Sequence, residues 1–111
     1  MPVPPPRALL LATQRALRAM DHPVRQRILA LLFERRRALA YNEIAAQLGI
    51  SDSSAIAHHL RALTGAALVG NHLLRVDGKI RSVYSISDSG VSWMKRVGLS
   101  EPEGLKILIG A

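Results

Sequence analysis

The stretch that most constrains the fold runs from residue 42 to residue 69. Within it, two short patterns of apolar residues at helical spacing are separated by a break at Gly49. Ile44 and Leu48 lie four residues apart in the first pattern, and apolar residues between 56 and 63 recur at i, i+4 and i+7 in the second. This spacing predicts two short helices joined by a tight turn, which is the helix-turn-helix pattern.

The second predicted helix, residues 52–66, carries small, polar and basic residues on the face opposite its apolar stripe. A helix that enters the major groove of DNA needs small side chains for close approach, and a few groups that donate hydrogen bonds or carry positive charge. The pattern alone is also compatible with an ordinary solvated helix face. The residues on that face are Ser54, Ala57, His58 and Arg61.

The charge balance indicates a polyanionic partner. The 111 residues include 15 Lys and Arg against 8 Asp and Glu, a net charge of +7, which favours nucleic acid. A membrane surface fits less well, because no basic amphipathic helix with aromatic anchors is present. The chain has no cysteine, no run of ~18 apolar residues and no signal-peptide pattern at its N-terminus. We therefore expect one cytoplasmic domain without disulfides or thiolate metal sites.

The N-terminal half reads as an arm and two helices. Four prolines within residues 1–7 predict an extended arm, and an apolar seam predicts a helix over 8–20. The next helix begins with Asp21 or His22 as its cap and ends near three arginines at 35–37. We favour the interpretation that these arginines complement the negative end of the helix dipole, although they could also touch phosphates.

The turn after Gly49 leaves two candidates for the cap of the second helix. Asp52 is the first choice, because its carboxylate can accept the free amides of the first turn, and Ser51 is the alternative.

Residues 68–86 predict a β-hairpin. Asp77-Gly78 is a strong two-residue turn signal, because both turn positions need positive φ. The first strand is expected to be bulged near Gly70. Cations near the tip predict a wing that lies along phosphates or reaches the minor groove. Protection of an edge strand by charge is the alternative.

The C-terminal part predicts one more helix, capped by Ser87, followed by an apolar tail over 100–111. That helix and the helix at 8–20 present apolar residues that a small winged core does not need. These residues are Leu10, Leu17, Met20, Val91, Trp93, Met94 and Val97.

The order helix, helix, helix, helix, hairpin, helix resembles the winged helix-turn-helix regulators of the arsenical-resistance-repressor (ArsR) type. The resemblance covers roughly residues 20–90 and is specific in order and spacing rather than in any single segment. The segments that carry it are HPVRQRIL at 22–29, NEIAAQLGI at 42–50, SAIAHHLRAL at 54–63, GAALV at 65–69 and VYSISDSG at 83–90.

The resemblance implies a mainly α domain over 8–99 with a small β-hairpin. It also implies a homodimer that pairs through the first and last helices. The seven apolar residues named above would then form the dimer interface. Carried over by position, the resemblance places double-stranded DNA against the helix at 52–66 in the major groove and against the hairpin at 68–86 as a wing. The implied DNA-binding residues are Ser53, Ser54, Ala57, His58, Arg61, His72, Arg75, Lys79 and Arg81.

The chain departs from the family in its sensory residues. Metal-sensing members carry a cysteine pair where this chain has 41–43, and others use Asp and His on the last helix, which here has Asp88 but no histidine. We therefore predict no metal site and no cofactor, and the sequence identifies no small-molecule effector. The turn after Gly49 is also one residue longer than is usual in the family.

The chemistry-bearing residues do not form an enzyme pattern. His58 and His59 are adjacent on a helix and point about 100° apart, so they cannot easily share a metal. No metalloprotease, phosphate-loop or nucleophile-elbow motif occurs, and hydroxyls at a helix start are usually caps. We predict a transcriptional regulator without catalytic residues. The alternative is a winged-helix module that binds proteins of the transcription machinery, which would expose an apolar patch.

Overall fold

The computed structural model describes residues 6–98, apart from the side chains of residues 6, 9 and 53. Five helices and three strands alternate in the order expected of a winged helix-turn-helix domain. The elements are α1 (Pro6–Met20), α2 (Pro23–Arg35), β1 (Leu39–Ala40), α3 (Tyr41–Leu48), α4 (Ser53–Gly65), β2 (Val69–Val76), β3 (Lys79–Ile86) and α5 (Asp88–Arg96).

Helix α2 is the centre of the core. Its six residues from Ile28 to Phe33 are all buried, so this part of the helix is covered on every side. The helix starts at Pro23, and the Nδ1 atom of His22 accepts a hydrogen bond from the amide of Val24 at 3.1 Å. His22 is therefore the cap, and Asp21 is not.

The turn between α3 and α4 is fixed by backbone chemistry. Gly49 has φ +67°, and the amide of Ile50 donates to the carbonyl of Ala45 at 3.0 Å, the geometry of a glycine-terminated helix. The Asp52 carboxylate then accepts from the amide of Ser54 at 3.1 Å, which selects Asp52 over Ser51 as the cap of α4. These two ends set the direction in which α4 leaves the core.

The three strands form an antiparallel sheet in the order β1–β3–β2. The β2–β3 pairing runs without interruption from Val69 opposite Ile86 to Val76 opposite Lys79. The predicted bulge near Gly70 is therefore wrong. Asp77 and Gly78 have φ +52° and +76°, as the turn signal predicts.

Helix α5 is held against the start of the hairpin. The Ser87 hydroxyl donates to the carbonyl of Ala67 at 2.6 Å and accepts from the amide of Gly90 at 3.0 Å. A Cβ atom at Gly90 would overlap the carbonyl oxygen of Leu68 and the side chain of Ile86. The cap predicted at Ser87 is confirmed, and Gly90 is required by the close approach of α5.

Two of the expected boundaries and exposures need correction. Helix α1 begins at Pro6, so part of the arm predicted over 1–7 is helical. The rest of that arm and the predicted tail at 100–111 lie outside the described residues.

Met20 and Met94 are 5% and 0% exposed. The expectation that these two methionines are surplus apolar surface is wrong, because they pack in the core of their own domain.

None of the helices within residues 6–98 has the length and apolar character needed to cross a lipid bilayer.

Candidate nucleic-acid interface

The outer face of α4 combines small and basic side chains. Ser54, His58 and Arg61 are exposed and Ala57 is half-buried, while Ile56, Leu60 and Leu63 on the opposite face are fully buried. The side chain of Ser53 lies outside the described residues. The face predicted from the sequence therefore exists as a surface, and its small residues leave the helix free to approach a groove closely.

The first turn of α4 is already occupied by a carboxylate. Asp52 accepts from the Ser54 hydroxyl at 2.8 Å as well as from its amide, and these bonds lower the pKa of Asp52, with the hydroxyl making the largest contribution and the amides of Ala55 and Ser54 adding to it. The Ser54 proton is thus engaged in the protein. Its oxygen can still accept, so a contact from Ser54 to DNA would be as an acceptor.

Arg25 on α2 connects the core to the outer face of α4, and the sequence reasoning missed it. Its Nε donates to Nδ1 of His59 at 3.1 Å, and its Nη2 lies 3.5 Å from Nε2 of His58. The ring of His22 packs against that of His59, with centroids 4.3 Å apart. Only the packing of α2 on α4 brings the two pairs together, since His22 and Arg25 precede His58 and His59 by 33 or more positions in the chain.

His59 is the buried member of this group, at 8% exposure. Burial lowers its pKa, and electrostatic repulsion from the neighbouring His22, Arg25 and His58 lowers it further. A neutral His59 with its proton on Nε2 has a free lone pair on Nδ1, which is what the hydrogen bond from Arg25 requires. His59 is therefore a packed residue beside the buried apolar face of α4.

The wing carries the expected cations, divided between its two faces. The pairing register puts Arg75 and Ile80 on one face, and Lys79 and Arg81 on the other. All four side chains are exposed. His72 is exposed too, and its Nε2 lies 3.1 Å from the Ser85 hydroxyl.

Arg81 is partly compensated by an acid on α3. The amide of Ala40 is the main cause of a lowered pKa at Glu43, through a hydrogen bond, and Arg37 and Arg81 lower it as well by their charge. Arg81 therefore lies near the start of the helix-turn-helix, whereas no acidic partner of Arg75 or Lys79 appears among the described residues.

The wing also exposes aliphatic side chains, a feature that the sequence analysis did not single out. Leu73 and Ile80 are 76% and 64% exposed, and Leu74 and Val76 are also on the surface. The alternation of the first strand could have revealed them, because no face of 72–76 is wholly polar.

A second exposed apolar surface lies on α1 and α5. Leu10, Leu17 and Val97 are 58%, 55% and 44% exposed, and Val91 and Trp93 are half-buried. Leu17, Trp93 and Val97 line an open hollow of about 480 Å³ between the two helices. We call Leu10, Leu17, Trp93 and Val97 the apolar terminal surface.

Acidic, histidine and cysteine side chains do not gather into a metal-binding group of three anywhere in residues 6–98. The polar groups described above on α4 and the wing are helix caps, hydrogen-bonding side chains and cations.

Comparison with known proteins agrees with this architecture. Residues 20–69 match the model of a family described as a helix-turn-helix domain. The chain is also similar, at 27% identity and a TM-score of 0.68, to a solved structure from Mycobacterium bovis, which covers 96% of this chain while the chain covers 94% of it. That protein, Mb0332, is described as the homodimeric winged helix-turn-helix DNA-binding domain of a possible ArsR-family transcriptional regulator.

This chain has the winged helix-turn-helix architecture and is similar over most of its length to that possible ArsR-family regulator. A double mutant of ZitR from Lactococcus lactis in its apo form shares the fold, with a TM-score of 0.61 and 21% identity over 91% of this chain and 72% of its own. No curated protein sequence matches the chain. The matched helix-turn-helix segment covers residues 20–69, and most of α1, the wing and α5 lie outside it.

Proposed function

We propose that this protein is a homodimeric transcriptional regulator that binds double-stranded DNA in a sequence-specific manner. The observation that carries the proposal is the outer face of α4, where exposed Ser54, His58 and Arg61 surround the small side chain of Ala57. In this proposal α4 is the recognition helix and enters the major groove, where Arg61 and His58 can reach base edges.

The wing supplies the second contact in this proposal. Arg75, Lys79 and Arg81 are cations on an exposed hairpin beside α4, where they can bind phosphates and hold the register of the protein on the duplex. Such contacts do not depend on sequence, so the wing contributes affinity and α4 contributes specificity. The +7 net charge supports a polyanion as the partner.

Dimerisation is proposed to use the apolar terminal surface. Exposed aliphatic side chains on two adjacent helices cost free energy in water, at about 25 cal/mol per Å² of apolar area. A two-fold axis would bury the surface against itself and would set two recognition helices about 34–36 Å apart, one turn of DNA. The homodimeric state described for Mb0332 supports a dimer, without bearing on which surface forms it.

Selection of bound DNA from a random pool by the purified protein tests the whole proposal. We expect an inverted repeat with half-sites about 10 base pairs apart from centre to centre. Recovery of unrelated sequences without symmetry would contradict sequence-specific binding by a dimer.

A protein-interaction module is the second candidate, and one observation favours it. Leu73 and Ile80 expose aliphatic surface at the wing, where a protein partner could bind. The two functions separate in an electrophoretic shift with random DNA at low salt, because the interaction module would not retard DNA, whereas the regulator would bind it non-specifically.

A further inference from the structure

The surface between α1, α2 and α4 contains a cleft lined by three arginines. The cleft has a volume of about 340 Å³, and Arg15, Arg18 and Arg25 line it together with Ala19, Ala62 and Ala66. We call it the arginine cleft. The other described residues that line it are small, so an incoming group can approach the guanidinium groups closely, and none of the lining residues within 6–98 is acidic.

The charges in the arginine cleft are not neutralised by carboxylates. Among the described residues, the ion pairs join Arg35 to Glu34 and Arg37 to Glu43, and neither pair involves the cleft. Three guanidinium groups beside one small cleft repel one another, and the repulsion is relieved when an anion binds between them. Guanidinium groups are also the side chains best suited to bind oxyanions, because each presents parallel N–H donors.

One of the three arginines is held in place before any ligand binds. Arg25 is half-buried, its Nε donates to Nδ1 of His59 at 3.1 Å, and its Nη1 lies 3.5 Å from the carbonyl oxygen of Ala19. Both acceptors are neutral, so they orient the guanidinium without cancelling its charge. A donor that is already oriented loses less conformational entropy on binding.

We propose that the arginine cleft binds a phosphate-type oxyanion. Three cations match a tetrahedral dianion better than a singly charged carboxylate, since each guanidinium can bond a different oxygen. The phosphate can belong to a small phosphorylated molecule or to the DNA backbone, and both sources present the same group to the cleft.

Binding in the cleft would be coupled to the recognition helix, a step that rests on the proposed function. Arg25 is shared between the cleft and the histidines of α4, where its Nη2 lies 3.5 Å from Nε2 of His58. An oxyanion that attracts Nη2 weakens its contact with His58 and frees that side chain, while the bond from Nε to His59 continues to hold Arg25 in place. Occupancy of the cleft therefore changes the affinity of α4 for DNA, and DNA changes the affinity of the cleft by the same factor.

The binding step is tested without DNA. Inorganic phosphate is titrated into the full chain by isothermal calorimetry at pH 7.5, with sodium chloride holding the ionic strength constant. We expect saturable binding of one phosphate per chain, weakened about tenfold or more by Arg15→Gln or Arg25→Gln, because each removes charge-assisted hydrogen bonds. The matched control is Arg7→Gln, which removes an exposed arginine of the same helix outside the cleft.

Arg25→Gln also removes the bond to His59 and could disturb the fold, so Arg15→Gln and Arg18→Gln at exposed positions decide the outcome, with circular dichroism as the check. Non-saturable binding, or equal loss in Arg7→Gln and Arg15→Gln, overturns the site. Because no DNA is present, this result does not depend on whether the protein is a regulator.

DNA binding by the same variants identifies the source of the phosphate. If the cleft holds a backbone phosphate, Arg15→Gln weakens binding to all DNA sequences and inorganic phosphate competes with DNA at constant ionic strength. If the ligand is a small phosphorylated molecule, Arg15→Gln binds DNA as tightly as the wild type does but loses its response to phosphate. No difference from Arg7→Gln in either assay overturns the coupling.

Discussion

The Nε atom of Arg25 lies 3.1 Å from Nδ1 of His59, and this bond joins the central helix of the core to the helix that faces outward. The bond requires an unprotonated His59, because an imidazolium has no lone pair to accept it. Protonation of His59 would also place a second positive charge beside the guanidinium of Arg25. The hydrogen bond between Arg25 and α4 is therefore tied to the protonation state of one buried side chain.

This relationship predicts that the protein loses folding stability as the pH falls below the ordinary histidine pKa of 6.5. Burial lowers the pKa of His59 in the folded state, so the unfolded state binds more protons below about 6.5, and stability rises with pH over that range. The contribution is complete above pH 6.5 and is lost as the pH approaches the lowered pKa of the folded state.

Urea unfolding at pH 7.5 and 5.5 measures the effect. We expect the wild type to lose stability between the two values and His59→Gln to lose less. His72→Gln, on the exposed wing, is the control and should keep the dependence of the wild type. Equal dependence in wild type and His59→Gln would mean that His59 does not titrate differently on folding.

Removing wing cations should weaken DNA binding without unfolding the protein. The double variant Lys79→Ala/Arg81→Ala changes exposed side chains next to the turn at 77–78, and each lost phosphate contact should flatten the slope of log affinity against log salt by about 0.9. The wild type, if a dimer neutralises roughly 6–10 phosphates, should lose about 10³–10⁵ in affinity between 50 and 200 mM salt.

Fluorescence anisotropy at several salt concentrations measures both slopes. The loss should be similar for all DNA sequences, because phosphate contacts carry no base information. Glu34→Gln, which leaves the wing unaltered, is the control. An unchanged slope in the double variant would mean that the wing cations do not contact phosphates and serve only to protect the edge strand.

Gly90 should be far less tolerant of alanine than Gly65. A Cβ at Gly90 would overlap the Leu68 carbonyl oxygen, whereas a Cβ at Gly65 meets nothing within 4 Å. We expect Gly90→Ala to lower the free energy of unfolding by about 1–3 kcal/mol, the usual cost of overpacking. Gly65→Ala should instead be neutral or stabilise by up to about 1 kcal/mol, because alanine favours a helix. Chemical denaturation of both variants measures the difference, and equal values would contradict the close approach of α5 to the hairpin.

The sequence predicts the parts of this fold that depend on local chemistry. Gly49 ends α3, Asp52 caps α4, Asp77-Gly78 closes the hairpin, and Ser87 caps α5, because each signal acts on backbone groups within a few residues. The resemblance to winged helix-turn-helix proteins then gives the order in space.

What the sequence does not predict depends on packing between distant segments. The bond from Arg25 to His59 and the arginine cleft arise only when α1 and α2 lie against α4. Met20 and Met94 follow the apolar spacing of surface helices. They are nevertheless buried, because α1 and α5 both pack against α2. The identities of the DNA-binding residues remain predictions, since the geometry gives their exposure and not their contacts.

The last prediction concerns the apolar terminal surface. Leu17 is 55% exposed and lines the hollow between α1 and α5 with Trp93 and Val97. Leu17→Glu puts a charge where the proposed dimer would exclude water, and burying an unpaired carboxylate costs several kcal/mol. We expect the wild type to sediment as a dimer at micromolar concentration and Leu17→Glu to sediment as a folded monomer that has lost specific DNA binding.

Leu73→Glu makes the same change on the wing, where leucine is 76% exposed, and should leave the dimer intact. A wild-type species with the mass of one chain would refute the dimer, and dissociation of both variants would show that charge alone, rather than this surface, separates the subunits.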